Sequence, residues 1–359
     1  MSSASGQAEP AFERAVSLAP FTTLELGGPA KYFLRAQARS EIGEALAWAA
    51  RAGEQVRILG GGSNLVIADA GVDGLVIKLA TRGIEISRDA ERTTLEVQAG
   101  ESWEDVVQLA LAEDLAGIEC LTGIPGCAGA TPIQNVGAYG QEVSERIEAV
   151  EVLDRQDLSV RWLARDQCGF GYRDSSFKRA PERYVVLAVR FVLTAGGRPE
   201  LRYAELARAC AARAGSPSLR EVAEVVRSLR GSKSMLLDRA DPNSRSAGSF
   251  FTNPVLSVDE AEQVKRRALT QGIVQRVEDV PSFAAEAGKQ KLAAGWLIER
   301  AGVQKGLRQG AVGISSKHAL ALVHHGGGST RELLDLARAV SRQVESVFGV
   351  ALVMEPVCW

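Results

Sequence analysis

Apolar residues recur every three or four positions in several segments of the chain, which is the spacing of a helix with one buried face. In residues 41–52 these positions include Ile42, Leu46 and Ala49, and Gly53 follows the segment. Helices with the same spacing are predicted from Ser102 to near Gly117 and over residues 219–229, 258–271, 292–301 and 330–348.

Two of these helices begin with a capping-box pattern. Ser102 is followed three residues later by Asp105, and Ser257 is followed by Glu260. Such pairs satisfy backbone N–H groups of the first helical turn, so they indicate where a helix starts. Gly349 closes the last helix in the same way that glycine commonly ends a helix.

Short apolar or alternating runs predict strands between the helices. They lie at residues 56–59, 65–67, 75–79, 94–98, 147–154, 184–193, 319–323 and 350–354. Helices and strands follow one another without an internal repeat. From about residue 196 the amino-acid composition becomes rich in Gly, Arg and Ala. We therefore predict an α+β protein with a mobile tail over residues 1–20 and a domain boundary near 196–220.

A glycine-rich turn interrupts the strand pattern in LGGGSNLVIADAG, residues 59–71. Gly60, Gly61 and Gly62 can turn backbone N–H groups inward, and Ser63 and Asn64 can add side-chain donors, as in phosphate-binding loops. A plain turn is the alternative. The segment lacks the dinucleotide-binding fingerprint, because a strand rather than a helix follows it.

A second stretch of small residues, IPGCAGATPIQNVGAYG, occupies residues 124–140. It has little side chain available for packing. Either it is a loop packed tightly between domains, or its backbone lies close to a planar cofactor that carries phosphate. Two separated glycine-rich loops with polar tips are what one long ligand would need, which favours the cofactor.

Three more positions could carry chemistry. Arg173 in FGYRDSSFK suits a carboxylate or a diphosphate, unless it forms an ion pair on a surface turn. Ser249 in SAGSFFTNP could donate a proton, although most serines in Gly-Ser turns only shape the chain. Glu355 ends an apolar strand, where a carboxylate is costly unless it is paired or functional.

Composition removes several classes of function. A net charge of −2 and a pI near 6.1 leave no broad basic field for nucleic acid or an anionic membrane. The longest apolar stretch, residues 184–193, is broken by Arg190 and is far shorter than the ~20 residues of a membrane span. The N-terminus shows no signal-peptide pattern. An odd count of 5 cysteines without C-x-x-C indicates reduced thiols in the cytosol.

Histidine is scarce and late in the sequence. All 3 histidines, His318, His324 and His325, lie in the last 42 residues, so the preceding 317 residues can supply neither a histidine zinc site nor an imidazole base. His324 and His325 precede three glycines, which favours a surface turn over a metal site. We expect no metal.

The ordered motifs LGGGSN, IPGCAGATPIQNVGAYG, FGYRDSSFK, AGSFFTNP and KLAAGWLIERAG closely resemble those of the UDP-N-acetylenolpyruvoylglucosamine reductases, the MurB flavoenzymes of peptidoglycan synthesis. The match runs over residues 22–355. The resemblance implies an α+β fold with a two-part FAD-binding domain of the vanillyl-alcohol-oxidase/PCMH type and a C-terminal α+β substrate domain. It places the FAD-binding domain at residues 21–196, with subdomains of about 21–80 and 81–196. A linker at 197–220 and the substrate domain at 221–359 follow, and the last strand returns to the active site.

The resemblance also implies the reaction. NADPH reduces non-covalently bound FAD, and flavin N5 then delivers hydride to the terminal enolpyruvyl carbon of UDP-N-acetylglucosamine enolpyruvate, which yields UDP-N-acetylmuramate. Arg173 would stabilise the enediolate-like intermediate, Ser249 would give the proton, and Glu355 would act beside the arginine. This is a cytoplasmic step of cell-wall biogenesis, on which cell shape and division depend. We expect a monomer without nucleic acid or membrane partners.

Residues of the matching motifs take roles from the resemblance. The cofactor-binding residues would be Gly60, Gly61, Gly62, Ser63, Asn64, Leu65, Pro125, Gly126, Ala128, Gly129, Ala130, Ile133, Gln134, Asn135, Gly137, Ala138 and Tyr139. The substrate-binding residues would be Tyr172, Tyr203, Lys233, Asn253, Lys305 and His318. Tyr203 in LRYAEL resembles the tyrosine that closes over substrate in one of two family types.

Two rival functions remain open from the residues alone. The first is another FAD oxidoreductase of the same fold that acts on a hydroxy acid. The second is a catalytically silent protein that binds nucleotide sugars. Independently of the family, the absence of histidine before residue 318 predicts that no histidine near the flavin loops tethers FAD covalently.

Overall fold

The computed structural model describes residues 11–89, 92–211, 215–285 and 288–359. Its helices are α1 (Arg39–Ala52), α2 (Trp103–Ala112), α3 (Ser176–Arg179), α4 (Ala204–Ala211), α5 (Leu219–Ser232), α6 (Val258–Thr270), α7 (Ala294–Arg300) and α8 (Thr330–Phe348). The first ten strands are β1 (Glu13–Ser17), β2 (Pro29–Ala36), β3 (Val56–Leu59), β4 (Leu65–Val66), β5 (Val72–Leu79), β6 (Ile84–Arg88), β7 (Thr93–Gln98), β8 (Leu115–Ala116), β9 (Gly137–Ala138) and β10 (Gln141–Glu142).

The strands continue with β11 (Ile147–Asp154), β12 (Val160–Ala164), β13 (Tyr184–Ala195), β14 (Val255–Ser257), β15 (Ser282–Ala284), β16 (Lys289–Leu292), β17 (Arg308–Gln309), β18 (Val312–Ile314), β19 (Leu322–His324) and β20 (Val357–Cys358). None of the helices in the described part of the chain is both long enough and apolar enough to cross a bilayer.

The predicted helices are present, and their caps are formed as the sequence indicates. The hydroxyl of Ser102 accepts a hydrogen bond from the Asp105 N–H at 3.4 Å, and Ser257 and Glu260 form a complete capping box. Gly349 ends α8 in the left-handed conformation, with φ 74°. Local sequence rules therefore located these helix ends, although α2 stops at Ala112, well before Gly117.

The strand predictions hold except at the C-terminus. Residues 350–354 form no strand; the chain instead makes a single bridge from Met354 to Phe251, and the paired strand β20 comes later. Val350 and Leu352 are each 7% exposed and Val353 is 67% exposed, so the run buries alternate positions as a strand does but forms no ladder. Strand β1 also begins inside the segment predicted as a mobile tail. Residues 1–10 of that tail lie outside the described residues.

The chain divides into two compact units. The first comprises Met1–Val16, Ala30–Gly62 and Val72–Gly231, and the second comprises Ser17–Pro29, Ser63–Gly71 and Ser232–Trp359. This division differs from the sequence-based boundary near 196–220. Helices α4 and α5 belong to the first unit, because their apolar residues form a common buried cluster with Cys120.

Two sheets build the first unit. One has the order β1-β2-β5-β3, in which β2, β5 and β3 are parallel. The other has the order β12-β11-β13-β7-β6, with antiparallel pairs, and β8 pairs with β13 beyond this path. Helix α2 contributes the fully buried Trp103, whose indole N–H donates to the Leu121 carbonyl at 3.0 Å. Because its polar group is bonded, this large side chain can lie in the core.

The second unit has small antiparallel sheets, β14-β16-β15 and β17-β18-β19, and a parallel pair of β4 with β20. Helix α8 packs its apolar face, including Leu333, Leu336 and Val340, into the same core as Phe250 and Phe251. The core thus draws on residues from distant parts of the sequence.

His324 is part of this core, which corrects the expectation of a surface turn. It ends β19 and is 5% exposed. Its Nδ1 lies 2.9 Å from the Leu24 carbonyl and its Nε2 accepts the Gly328 N–H at 3.1 Å. The two contacts fit a neutral ring that donates from Nδ1. Burial lowers the pKa of the neighbouring His325, with Arg308 adding to the effect.

Candidate active site

The two glycine-rich loops of the sequence contact one another within the first unit. Residues 60–62 follow β3 directly, and a side chain at Gly61 would place Cβ 2.3 Å from the Gly126 Cα. A side chain at Gly60 would lie 2.8 Å from the Cys127 sulfur. These distances exclude any residue with a Cβ in this arrangement, so the close approach of two backbones explains why glycine occupies both loops.

Gly129 and Gly137 have protein neighbours where a cofactor was expected. A Cβ at Gly129 would lie 2.4 Å from the Ala99 Cβ, just after β7. A Cβ at Gly137 would lie 2.8 Å from the Gln141 carbonyl oxygen and 2.9 Å from the Arg173 Nη1. The interpretation that cofactor space requires glycine at these two positions stays a prediction. Packing within the protein is sufficient reason for both.

Asn135 joins three parts of this site through its side chain. It is 1% exposed and adopts a left-handed conformation with φ 43°. Its amide N–H groups donate to a Glu142 carboxylate oxygen at 2.8 Å and to the Gly171 carbonyl at 2.9 Å, and its oxygen accepts the Ser144 N–H at 3.2 Å. The side chain is thus engaged by protein groups, and so is the backbone, whose N–H donates to the Pro132 carbonyl at 3.4 Å.

A tight hairpin carries Tyr139. Strands β9 and β10 pair antiparallel, and the two turn residues Tyr139 and Gly140 have φ 49° and 86°. Positive φ at both positions is the type I′ arrangement, which suits the twist of a two-residue hairpin. The Tyr139 ring meets Tyr203 edge to face at 5.5 Å, and burial raises the pKa of Tyr139 to about 12. Its phenol is therefore protonated at neutral pH.

The guanidinium of Arg173 is held by the backbone of the second glycine-rich loop. Nη1 donates to the Asn135 carbonyl at 3.0 Å, and Nη2 donates to the Gly137 carbonyl. Its own carbonyl accepts the Lys178 ammonium at 2.9 Å, and its Cζ lies 5.6 Å from the centre of the Tyr172 ring. Arg173 is thus fixed on a loop by two backbone carbonyls.

Backbone strain accompanies this arrangement. Asn135, Tyr139 and Arg173 are left-handed although none is glycine, with φ between 43° and 53°. Such conformations cost about 1–3 kcal/mol each and are found where the surrounding structure dictates them, often at functional sites. Their concentration in one hydrogen-bonded cluster marks it as a candidate site.

The other predicted cofactor residues of the second loop lie around this cluster. Ala128, Gly129 and Ala130 form one turn of 3₁₀ helix, in which the first two are buried. The Ile133 carbonyl accepts the Ser175 hydroxyl at 2.6 Å, and Ile133 and Ala138 pack against the first core. Pro125, Gln134 and Tyr172 are half-buried.

In the second unit, backbone pairing joins the segment that contains Ser249 to the segment that contains Glu355. The Glu355 N–H donates to the carbonyl of Phe250, the residue after Ser249, at 2.9 Å. Phe250 and Phe251 are fully buried and anchor this segment, whereas Ser249 and Glu355 are both half-buried. Two polar side chains with partial access to solvent thus occur beside a rigid apolar anchor.

Asn64 ties the start of β4 to the same segment. Its side-chain amide donates to the Glu355 carbonyl at 3.3 Å, and its own carbonyl accepts the Val357 N–H at 3.0 Å. Leu65 then pairs with Val357 as β4 meets β20. The last strand therefore does return to a predicted site residue, although it is β20 rather than residues 350–354 that does so.

The predicted substrate residues of the second unit are spread over several elements. The Asn253 side-chain oxygen accepts the Ala294 N–H at 2.9 Å and so caps the start of α7. Lys305 forms an exposed ion pair with Glu299 at 3.1 Å. Lys233 follows α5, and His318 is half-buried before β19. The sequence motif did not indicate this structural role of Asn253.

Sequence reasoning missed Lys78, near the end of β5. Its ammonium donates to the carbonyl of Gly60, the first glycine of the first loop. It is half-buried, and among the described residues no carboxylate pairs with it. A positive group beside two glycine-rich backbones is the donor set that a diphosphate requires. The residues present therefore fit FAD. The sequence feature that could have identified Lys78 is a lysine within an otherwise apolar strand.

The chain is similar to known proteins of one enzyme family. The family model described as "UDP-N-acetylenolpyruvoylglucosamine reductase, C-terminal domain" matches residues 241–359, and the model "FAD binding domain" matches residues 30–162. A UDP-N-acetylenolpyruvoylglucosamine reductase of Streptomyces coelicolor is 48% identical over 343 residues, covering 95% of this chain and 88% of the relative. The chain belongs to the UDP-N-acetylenolpyruvoylglucosamine reductase family. A UDP-N-acetylenolpyruvoylglucosamine reductase of Thermobifida fusca is 46% identical, and the match covers 96% of this chain and 97% of the relative.

A solved structure supports the same family. The MurB reductase of Thermus caldophilus superimposes with a TM-score of 0.65 at 28% identity, covering 97% of this chain and 99% of that chain. The resemblance read from the five motifs is thus confirmed, as is the predicted fold class of an FAD-binding domain followed by a C-terminal reductase domain. The chain is an oxidoreductase of this family with FAD as its cofactor.

Proposed function

We propose that the enzyme reduces UDP-N-acetylglucosamine enolpyruvate to UDP-N-acetylmuramate with electrons from NADPH, as a cytoplasmic step of peptidoglycan synthesis. The names of the relatives at 46–48% identity support this substrate. The structural observation that carries the proposal is the hydrogen bond from the Glu355 N–H to the Phe250 carbonyl, which joins the segment that contains Ser249 to the segment that contains Glu355. When bound, FAD accepts two electrons from NADPH and passes them to the enolpyruvyl group.

Arg173 stabilises the negative charge that develops on the substrate carboxylate during reduction. Its bonds to the Asn135 and Gly137 carbonyls orient the guanidinium before substrate arrives. A preoriented donor stabilises developing charge without the cost of reorganisation, and one such donor contributes roughly 3–4 kcal/mol.

Ser249 gives the proton to the carbon adjacent to the substrate carboxylate, and Glu355 acts with the arginine on the intermediate. A serine hydroxyl is a weak acid in water, so the transfer requires a strongly basic intermediate. The flanking Phe250 and Phe251 are buried, which fixes the backbone that presents Ser249. Precise placement of the hydroxyl then compensates in part for its weak acidity.

The remaining residues bind ligands. Residues 60–65 hold the FAD diphosphate, and residues 124–139 lie along the flavin. Tyr172, Tyr203, Lys233, Asn253, Lys305 and His318 contact the nucleotide sugar or the nicotinamide nucleotide. Tyr203 is 41% exposed and so can close over substrate from its position against Tyr139. We propose that the enzyme acts as a monomer without nucleic acid or membrane partners.

One anaerobic experiment separates this function from its rivals. The purified yellow protein is mixed with NADPH, the flavin absorbance is followed, and UDP-N-acetylglucosamine enolpyruvate is then added. We expect bleaching followed by reoxidation. Bleaching without reoxidation by this compound would indicate a flavin enzyme with another substrate, such as a hydroxy acid. No bleaching would indicate a silent nucleotide-sugar binder.

The same assay tests Ser249. We predict that Ser249→Ala is bleached by NADPH at nearly the normal rate but is reoxidised by the enolpyruvyl substrate at least about a hundredfold more slowly, the usual range of general acid catalysis. Ser316→Ala is the control: Ser316 is an exposed serine of the same unit and both of its half-reactions should be normal. Equal slowing of both half-reactions in Ser249→Ala would show that Ser249 is structural.

A further inference from the structure

Lys78 lies where three parallel strands of the first unit end. It is the penultimate residue of β5, and its register partners are Leu59 of β3 and Arg35 of β2. Leu59 is followed at once by the glycine loop, residues 60–62. The carboxyl ends of parallel strands are the usual location of ligands in sheets of this kind. Lys78 therefore stands beside the loop without being part of its motif.

The lysine fixes the orientation of one peptide group. Its ammonium donates to the Gly60 carbonyl. Because the peptide bond is planar and trans, the carbonyl of Gly60 and the N–H of Gly61 point in opposite directions. Holding that carbonyl toward Lys78 consequently directs the Gly61 N–H away from it, where it donates to the Cys127 sulfur. A loop of glycines has little stiffness of its own, so such an external anchor matters.

The charge of Lys78 lacks an acidic partner in the part of the chain that the structure describes. Burial lowers its pKa, and the guanidinium groups of Arg35 and Arg82 lower it further, while Cys127 opposes them. Arg82 is itself paired with Glu101 at 3.0 Å. Burial likewise raises the pKa of the Cys127 thiol, so this neighbour is neutral near pH 7 and supplies no counter-charge. A half-buried cation among other cations is unfavourable unless an anion joins it.

We propose that Lys78 is a positioning residue for the FAD diphosphate: it anchors the Gly60 carbonyl and so fixes the turn of the glycine loop, and its ammonium balances the diphosphate charge. The proposal rests on the assignment of the diphosphate to residues 60–65. It adds a lysine outside the glycine motif to that site. It makes cofactor affinity, rather than the chemistry of reduction, depend on this side chain.

The test measures flavin binding by the protein after FAD has been removed. Three variants are titrated with FAD and followed by flavin fluorescence: Lys78→Met removes charge and donor, Lys78→Gln keeps a donor, and Lys78→Arg keeps the charge. Lys31→Met is the matched control, because Lys31 lies on β2 of the same sheet but is exposed and paired with Glu54 at 2.8 Å. Riboflavin, which carries the ring system without phosphate, is the second probe.

We expect Lys78→Met to weaken FAD binding about tenfold to a hundredfold, as the loss of a charged hydrogen bond does, with Lys78→Gln between it and the wild type. Riboflavin binding should not change, and the FAD affinity of Lys78→Met should depend less on salt concentration. Lys78→Arg should retain most of the affinity and Lys31→Met all of it.

Two results would overturn the proposal. One is unchanged FAD affinity in Lys78→Met, and the other is equal weakening of FAD and riboflavin, which would indicate a purely structural lysine. Thermal melting of each flavin-free variant shows whether it is folded, and Lys78→Gln carries the test if Lys78→Met is not. Because the titration needs no turnover, failure of the proposed reaction would leave this result untouched. If Lys78→Met binds FAD with normal affinity, the proposal is wrong even when turnover at saturating FAD is normal.

Discussion

Gly129 shows that the structural reason for a glycine can differ from the one its sequence motif suggests. It belongs to the segment expected to lie against FAD, yet its missing side chain leaves room for Ala99, with the two Cβ atoms only 2.4 Å apart if a methyl were added. The Gly129 N–H also donates to the Ala99 carbonyl at 2.9 Å. The glycine therefore allows a short 3₁₀ turn to pack on the end of β7.

We predict that Gly129→Ala destabilises the flavin-free protein by about 1–3 kcal/mol, the usual cost of overpacking a well-packed core. The backbone on both sides of the contact is hydrogen-bonded and cannot shift easily. Equilibrium denaturation of the flavin-free protein measures this loss directly.

The double variant Gly129→Ala/Ala99→Gly is the control for that prediction. It removes the clash of the two methyl groups and should recover part of the lost stability; the recovery is incomplete, because the Ala99 Cα and carbonyl oxygen would remain 2.9 and 3.0 Å from the new methyl. A single variant with normal stability that no longer binds FAD would favour the original interpretation, in which cofactor space requires glycine.

The sequence identified Arg173, Ser249 and Glu355 as candidates, because an arginine, a serine and a carboxylate stood out in apolar or glycine-rich settings. It could not show how they are held. The carbonyls that bind Arg173 belong to Asn135 and Gly137, more than thirty residues earlier, and no local pattern predicts such contacts. For the same reason the sequence could not show that the Asn135 side chain bonds Glu142 and Gly171.

Helix ends were the elements that the sequence predicted best, because a cap depends on residues three or four positions apart. The long helix α8, predicted over residues 330–348, spans Thr330–Phe348. The Ser329 hydroxyl accepts the Glu332 N–H at 3.2 Å, and the Glu332 carboxylate accepts the Ser329 N–H at 2.8 Å. The misplaced final strand shows the opposite case. Strand β20 forms only because β4, almost three hundred residues earlier, provides its partner.

We predict that Ser329→Ala lowers the free energy of unfolding by about 1 kcal/mol, since one N–H of the first turn of α8 loses its acceptor. Thermal or denaturant unfolding measures the change. Ser346→Ala is the control on the same helix: its hydroxyl is exposed near the C-terminal end and bonds only the Gln343 carbonyl, so little change is expected. Equal losses in both variants would mean that helix propensity, not the cap, accounts for the effect.

The division of the whole chain into two units could not be inferred from its local amino-acid composition. The second unit takes residues 17–29 and 63–71 from the N-terminal part of the sequence. Leu24 and Leu26 join Phe250 in its core, and Thr330 donates to the Ile67 carbonyl at 2.6 Å. A change in composition near residue 196 marks the end of the large sheet, but it carries no information about these two early segments. Long-range pairing decides the division.

The distribution of reactive side chains over the whole chain bears on how FAD is retained. No histidine precedes residue 318, so none is present in residues 30–162, which match the FAD-binding domain. Cys127, the one cysteine inside the second glycine-rich loop, is 4% exposed and packed against Gly60, and burial raises the pKa of its thiol. A protonated, enclosed thiol is a poor nucleophile toward a flavin ring.

We therefore predict that FAD is held without a covalent bond. Precipitating the yellow protein with acid unfolds it and removes every non-covalent contact, so all of the flavin should appear in the supernatant, where its absorbance can be compared with that of the intact protein. The Cys127→Ser variant provides the control, since it should release the same fraction. A pellet that stays yellow in the wild type would contradict the prediction, and its loss of colour in Cys127→Ser would identify the sulfur as the attachment point.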